Sequence, residues 1–230
     1  MHPMRRRAAI LIFLAASCCP LPAAAQSSRT TVAHSGDYLA LVAFGAYGEI
    51  DDVSANTGTP TVRNGEDGTG GVGLALGYNW AKKGIPIRTE LEFHHRFRFD
   101  FDVRIPNQAG YENNLQSQLL LANAYYDFET GGNWTLYGGG GIGWARHMSE
   151  VDRVALLGGA KTERDDTTDS LAWNLAVGAV WQVAESWDID FRYRFVSLGE
   201  ISSGPHSDGT TVEAESYYSH DFLFALVYRF

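Results

Sequence analysis

Two segments of this chain space ionisable residues at every second position. Arg88, Glu90, Glu92, His94, Arg96 and Arg98, followed by Asp100 and Asp102, form one set, and Asp188, Asp190, Arg192 and Arg194 form the other. In an extended chain residues two apart share a face, so each set is one charged face. The interleaved residues are oil: Ile87, Thr89, Leu91, Phe93, His95, Phe97, Phe99 and Phe101, then Trp187, Ile189, Phe191, Tyr193 and Phe195. The chemistry this arrangement offers is guanidinium–carboxylate pairing. Placed face to face, Arg88 would meet Asp188, Glu92 would meet Arg192, and Glu90 or Glu92 could reach Arg194.

Other chemistries fit the sequence less well. His94 and His95 are neighbours on a strand and point to opposite faces, while His34, His147, His206 and His220 are scattered, so no metal site is expected. Two stretches match G-x-G-x-x-G, at Gly68, Gly70, Gly73 and at Gly138, Gly140, Gly143. A dinucleotide loop must open a helix, whereas LALGYNW and WARHM continue as strand, so no cofactor is expected. His220 with Ser219 or Ser216 and Glu215 forms an acyl-hydrolase alternative, weakened because Ser219 and His220 are adjacent and face apart. No catalytic residue is assigned.

The elements that must hold these faces follow from the rest of the chain. MHPMRRR, the apolar run AAILIFLAAS and PAAAQ give the basic, apolar and small-residue regions of a secretory signal, with cleavage expected after Ala25. Cys18 and Cys19 also permit a lipoprotein reading, but Ala15 stands where a lipobox usually has Leu. Both cysteines fall in the leader, so no disulfide framework is expected. Loss of Arg5, Arg6 and Arg7 takes the formal charge from -9 to -12, a balance that argues against nucleic acid as a partner. After the leader no run approaches the roughly 18 to 20 apolar residues of a spanning helix. The expected organisation is a signal at 1–25, a short periplasmic segment at 26–36 and one barrel domain at 37–230.

Eight runs alternate with period two: Tyr38 to Glu49, Gly71 to Ala81, Pro86 to Asp102, Leu115 to Glu129, Trp134 to Met148, Ser170 to Val183, Ser186 to Gly199 and Ser216 to Phe230. Their connections alternate between long stretches and the short AKKGI, TGGN and AES. That rhythm predicts an all-β, eight-stranded, antiparallel up-and-down transmembrane β-barrel with short turns at one end and long loops at the other. The aromatics fall at two levels. Tyr38, Trp80, Trp134, Trp181 and Trp187 are expected at one lipid–water girdle and Phe44, Trp144 and Trp173 at the other, all facing outward. This parity turns Leu39, Leu41, Leu119 and Leu121 inward.

An eight-stranded lumen is only wide enough for side chains. The inward sets Gly73, Ala75, Gly77; Gly139, Gly141, Gly143; and Ala172, Ala176, Gly178 are small, which leaves room for a charge network that closes it. The loops are expected to carry the acid: Asp51, Asp52, Glu66, Asp67, Asp152, Glu163, Asp165, Asp166, Glu200, Asp208, Glu213 and Glu215.

NWTLYGGGGIGWA, LAWNLAVGAVWQV, WDIDFRYRFVSLGE and HDFLFALVYRF together resemble the opacity-protein-like, OmpA-type small outer-membrane β-barrels of Gram-negative bacteria. The resemblance implies insertion by the outer-membrane assembly machinery through Tyr228 and Phe230, although Ala225 stands where that signal often has Gly. It implies a cell outer membrane location and contact with lipid and lipopolysaccharide; the alternating connections then put the long loops outside, and the even strand count puts both mature termini in the periplasm. A family of this kind contains surface antigens, adhesins and envelope-stabilising proteins. The expectation is therefore a non-enzymatic structural or surface-interaction scaffold, with a host or surface ligand at the loops. A narrow pore for small solutes and a lipid A-modifying enzyme are the alternatives.

Overall fold

The structure, a computed structural model, describes residues 36–56, 61–63, 66–105, 109–155, 162–203 and 211–230. The expected signal at 1–25 and nearly all of segment 26–36 lie outside the described residues. Strands β1 (Asp37–Ala55), β3 (Glu66–Asn79), β4 (Ile87–Ile105), β5 (Ala109–Glu129), β6 (Trp134–Ala155), β7 (Thr162–Gln182), β8 (Trp187–Ser203) and β9 (Val212–Arg229) form the wall. The three-residue β2 (Thr61–Arg63) pairs with β4 beyond the end of the β3–β4 ladder. Each neighbour is antiparallel, and the β4–β5 and β1–β9 pairings close an eight-stranded up-and-down barrel.

One end, called here the turn end, gathers the short connections. Trp80–Lys83 form a single 3-10 turn, capped by the Asn79 side chain, which accepts from the Ala81 N–H at 2.8 Å, and ended by Gly84 at φ 74°. Residues 130–133 join β5 to β6 through Gly131 and Gly132, both with positive φ. The third turn, 183–186, joins β7 to β8. The Phe230 N–H donates to the Asp37 carbonyl at 3.2 Å, so both ends of the barrel chain sit here.

At the other end the strands outrun the alternation read from the sequence. β5, β6 and β7 have 21, 22 and 21 residues, about twice the ~9 to 11 that a tilted strand needs to span the hydrocarbon. Long loops were expected there. Instead Asp51, Asp52, Glu66, Asp67, Asp152, Glu163, Asp165, Asp166, Glu200, Glu213 and Glu215 lie within strands, and Asp208 lies outside the described residues. Backbone ladders carry register past the point where side-chain alternation lapses, as at Glu112↔Asp152 and Asp152↔Glu163.

The outer face is apolar: Leu41, Leu76, Leu91, Ile142, Leu171, Leu175 and Phe222 are each half or more exposed. A closed wall with oil outside fits a hydrocarbon surround, and among the described residues the β1–β9 and β4–β5 pairings leave no strand of it without two neighbours. Trp134, Trp144, Trp173, Trp181 and Trp187 face outward, with Trp134 and Trp181 stacked at 5.6 Å. Trp80 lies on the turn and donates from Nε1 to Thr89 Oγ1 at 3.1 Å.

β1 reverses the expected parity. Tyr38, Ala40, Val42 and Phe44 are buried in the lumen, while Leu39 and Leu41 face outward. Tyr38 is therefore no girdle residue. Opposite Gly77 its ring has the space that a side chain there would take, and its hydroxyl reaches a lumen carboxylate. Leu119 and Leu121 do face inward, buried to 1% and 0%.

The wall glycines are tested most directly at Gly143, where an added Cβ would strike the Leu120 carbonyl and lie 2.8 Å from Leu121 Cα. Backbone atoms cannot swing aside. Gly143→Val should sharply reduce the fraction that migrates as folded barrel on unheated gels, whereas Ala43→Val on the outer wall should leave it unchanged.

Candidate functional site: the charged lumen

The alternation of β4 and β8 delivers Arg88, Glu90, Glu92, His94 and Arg96 from one wall and Asp188, Asp190, Arg192 and Arg194 from the other, all buried. Arg192 is the hub. Its Nη1 pairs with Glu92 Oε1 and donates to the Tyr125 hydroxyl at 2.8 Å. Nη2 donates to Glu90 at 3.0 Å and Asp190 at 2.8 Å, and Nε donates to the Tyr137 hydroxyl at 2.7 Å. Every N–H of a guanidinium is thereby occupied. The tyrosines pass the contact on: Tyr125 donates to Glu92 at 3.1 Å, Tyr137 to Asp190 at 2.6 Å and Tyr38 to Glu90 at 2.6 Å.

Farther from the turns a second cluster centres on Asp221. Arg194 donates to it from Nη2 at 2.7 Å and Arg96 from Nη1 at 2.9 Å, while the Ser219 hydroxyl donates at 2.7 Å. Arg194 Nη1 also reaches Glu92 at 3.2 Å, which links the clusters. His94 Nε2 lies 2.7 Å from Glu92 Oε2, and its ring stands edge-on to Phe44.

The pairing differs from the sequence reading at one point. Glu92 meets Arg192 and Arg194, but Arg88 does not meet Asp188. Arg88 donates to Asp127 at 2.9 Å and lies over the Tyr137 ring at 4.5 Å, while Asp188 pairs with Arg229 at 3.0 Å. The strands of a barrel are staggered, so residues that match in sequence count need not match in height. Arg98, unlike Arg88, Glu90, Glu92, His94 and Arg96 before it, is exposed. Between Arg96↔Ser117 and Phe99↔Leu115 two residues on β4 oppose one on β5, and that bulge turns the side-chain sequence over.

The lumen is also less polar than expected. Beyond the Asp221 cluster, Leu115, Leu119, Val196, Leu198, Ile201 and Tyr217 are buried. Among them, Ser117 Oγ is 2.8 Å from His147 Nδ1, and His147 Nε2 donates to the Leu198 carbonyl at 2.9 Å. Asp127, Asp221, Tyr125 and Tyr137 were not assigned to the lumen from the sequence, Tyr38 was read as a girdle residue, and His147 was passed over as one of the scattered histidines. The signal for Asp221 was available: it is the one acid in HDFLFALVYRF and shares the face of Leu223, Ala225 and Val227.

Of the acyl-hydrolase alternative, the pairing of Ser219 with His220 does not assemble, and the side chains of Ser216 and Glu215 lie outside those described. Ser219 points inward to Arg96 and Asp221, while His220 faces outward and bonds the Tyr193 hydroxyl at 2.7 Å.

With the closed barrel and its filled lumen established, sequence comparison assigns the chain. Residues 11–230 match the outer membrane protein beta-barrel domain family. The chain belongs to that family. Outer membrane protein PagN of Salmonella typhimurium (strain LT2) is 25% identical over 234 residues, covering 92% of this chain and 97% of PagN. Among solved structures, Neisserial surface protein A superposes with a TM-score of 0.50 at 16% identity, over 86% of this chain and 100% of that one. OprG of Pseudomonas aeruginosa superposes with a TM-score of 0.51 at 16% identity, over 85% and 97%. These two share the fold. The outer membrane β-barrel assignment places the protein in the Gram-negative outer membrane.

Truncating one partner of a buried pair strands the other charge, at about 3–5 kcal/mol. Asp221→Ala, which strands Arg96 and leaves Arg194 with Glu92 alone, should lose that much stability in denaturant titrations of the folded barrel. The half-exposed outer pair Arg146–Asp169, 2.9 Å apart, gives the contrast: Arg146→Ala should leave the titration midpoint almost unmoved.

Proposed function

We propose that this outer-membrane barrel is a non-enzymatic structural and surface-interaction scaffold whose lumen is held shut by its own ion pairs. The observation that carries this reading is Arg192, which crosses from β8 to Glu90 and Glu92 on β4 with all its donors engaged. A solute would have to break that crossing and then part the leucines beyond it. What remains available for interaction is the projecting end, where strands run well past the hydrocarbon and carry acid.

In this reading the turn end and both ends of the barrel chain face the periplasm, and the projecting end faces the exterior. Tyr228 and Phe230, exposed on the turn-end rim with ring centroids 5.2 Å apart, serve as the signal to the assembly machinery. The acidic end contacts lipopolysaccharide through divalent cations and offers a face to a host or surface ligand. The opposed orientations of Ser219 and His220 weigh against lipid A chemistry.

Planar-bilayer recording tests closure: the purified protein should show no steady conductance. A large steady current through the unaltered protein would overturn the closed-lumen reading. Orientation is tested separately by membrane-impermeant maleimide. Ser54→Cys should label on intact cells and Glu185→Cys only after permeabilisation; the reverse pattern would invert the assignment.

A further inference from the structure

The outer wall is not uniformly convex. Across β3 to β6 a groove of about 610 Å³ opens toward the surrounding lipid, lined by Leu76, Tyr78, Thr89, Leu91, Ala124 and Ile142. That volume lies in the ~300–1,000 Å³ range of small-molecule sites. It exists because the outward residues of β5 and β6 shrink locally: Ala122 pairs with Ile142, Ala124 with Gly140 and Tyr126 with Gly138. Elsewhere the outward face keeps bulk, as at Val177, Phe191 and Phe224.

Packing of the barrel itself does not demand all of this smallness. Gly140 has no room for a Cβ, which would strike the Asn174 carbonyl, but at Gly138 a Cβ would meet only Val177 at 3.8 Å and Ala176 O at 3.9 Å, ordinary contacts. Ala122 and Ala124 are exposed outward. An external apolar occupant accounts for a hollow that the fold tolerates but does not need.

Charge at the mouth indicates which occupant. Tyr78 lines the groove, and the Lys83 ammonium lies 5.4 Å from its ring centroid and 4.6 Å from that of Trp80. Trp80 is pinned by its hydrogen bond to Thr89 on the groove floor, and Lys82 is exposed beside it. An apolar groove that ends at aromatic residues beside the Lys83 ammonium, with exposed Lys82 next to it in sequence, matches an acyl chain joined to an anionic head group.

We propose that the groove binds one anionic glycerophospholipid, with an acyl chain along Thr89, Ala124 and Gly140 and the phosphate on Lys82 and Lys83. Its membrane leaflet rests on the reading that the turn end is periplasmic. Binding to purified protein does not depend on that reading, which maleimide labelling decides independently.

The test is native mass spectrometry of the folded full barrel in mild detergent with added phosphatidylglycerol, phosphatidylcholine or lipid A. The unaltered protein should retain one phosphatidylglycerol in preference to the other two. Ala124→Leu should cut retention about tenfold, while Val177→Leu, elsewhere on the outer wall, should not. Lys82→Ala with Lys83→Ala, on an exposed turn, should abolish the preference for phosphatidylglycerol over phosphatidylcholine. Equal retention by Ala124→Leu would overturn the proposal. So would preference for lipid A, or a dimer lost in Ala124→Leu without any bound lipid. Unheated gel mobility establishes that each variant is folded, so loss of binding reads the groove.

Discussion

Charges inside a closed eight-stranded barrel have almost no water to turn to, and the rest of this structure follows from how they satisfy one another. Arg192 engages two glutamates, an aspartate and two tyrosine hydroxyls. Arg88, Arg96, Arg192, Arg194 and Arg229 face one more carboxylate than guanidinium, in Glu90, Glu92, Asp127, Asp188, Asp190 and Asp221. Tyrosine hydroxyls offset that excess by donating to carboxylates. The rings that carry them need space, and Gly77, Gly139 and Gly178 lie where side chains would collide with Tyr38, Tyr125 and Tyr137. Glycine on one strand is thus the complement of tyrosine on the next.

Much of this was legible in the sequence. The charge-and-oil alternation of β4 and β8 identified the lumen face because the two faces differ so strongly in polarity. β1 was misread because DYLALVAFGAYGE is apolar on both faces, and parity there is fixed by pairing to β3 and β9 rather than by pattern. Arg98 was misassigned because a bulge changes the count of residues without marking the sequence. Arg88 and Asp188 were paired by counting, which barrel stagger defeats. Asp221 shares its face with Leu223, Ala225 and Val227, and Asp127 stands near the end of β5, so no run of alternating charge announced either.

The filled lumen and the long strands divide the molecule's work. Ion pairs and leucines occupy the inside of the described barrel, and apolar side chains cover the middle of its outside. At the projecting end the β1–β9, β4–β5, β5–β6 and β6–β7 ladders run on, which makes it firmer than a crown of loops. Side chains there can change while the backbone frame stays hydrogen-bonded.

The seam between β1 and β9, from Tyr38↔Arg229 to Ala55↔Val212, joins the two ends of the barrel sequence. Such a joint is the most non-local contact the chain can make, and non-local pairing is slow to form. Until the final strand finds the first, both remain open edges able to accept a foreign strand. Completion of this molecule is therefore an all-or-nothing act of its last segment. An unclosed intermediate is exposed to mispairing for as long as that strand is delayed.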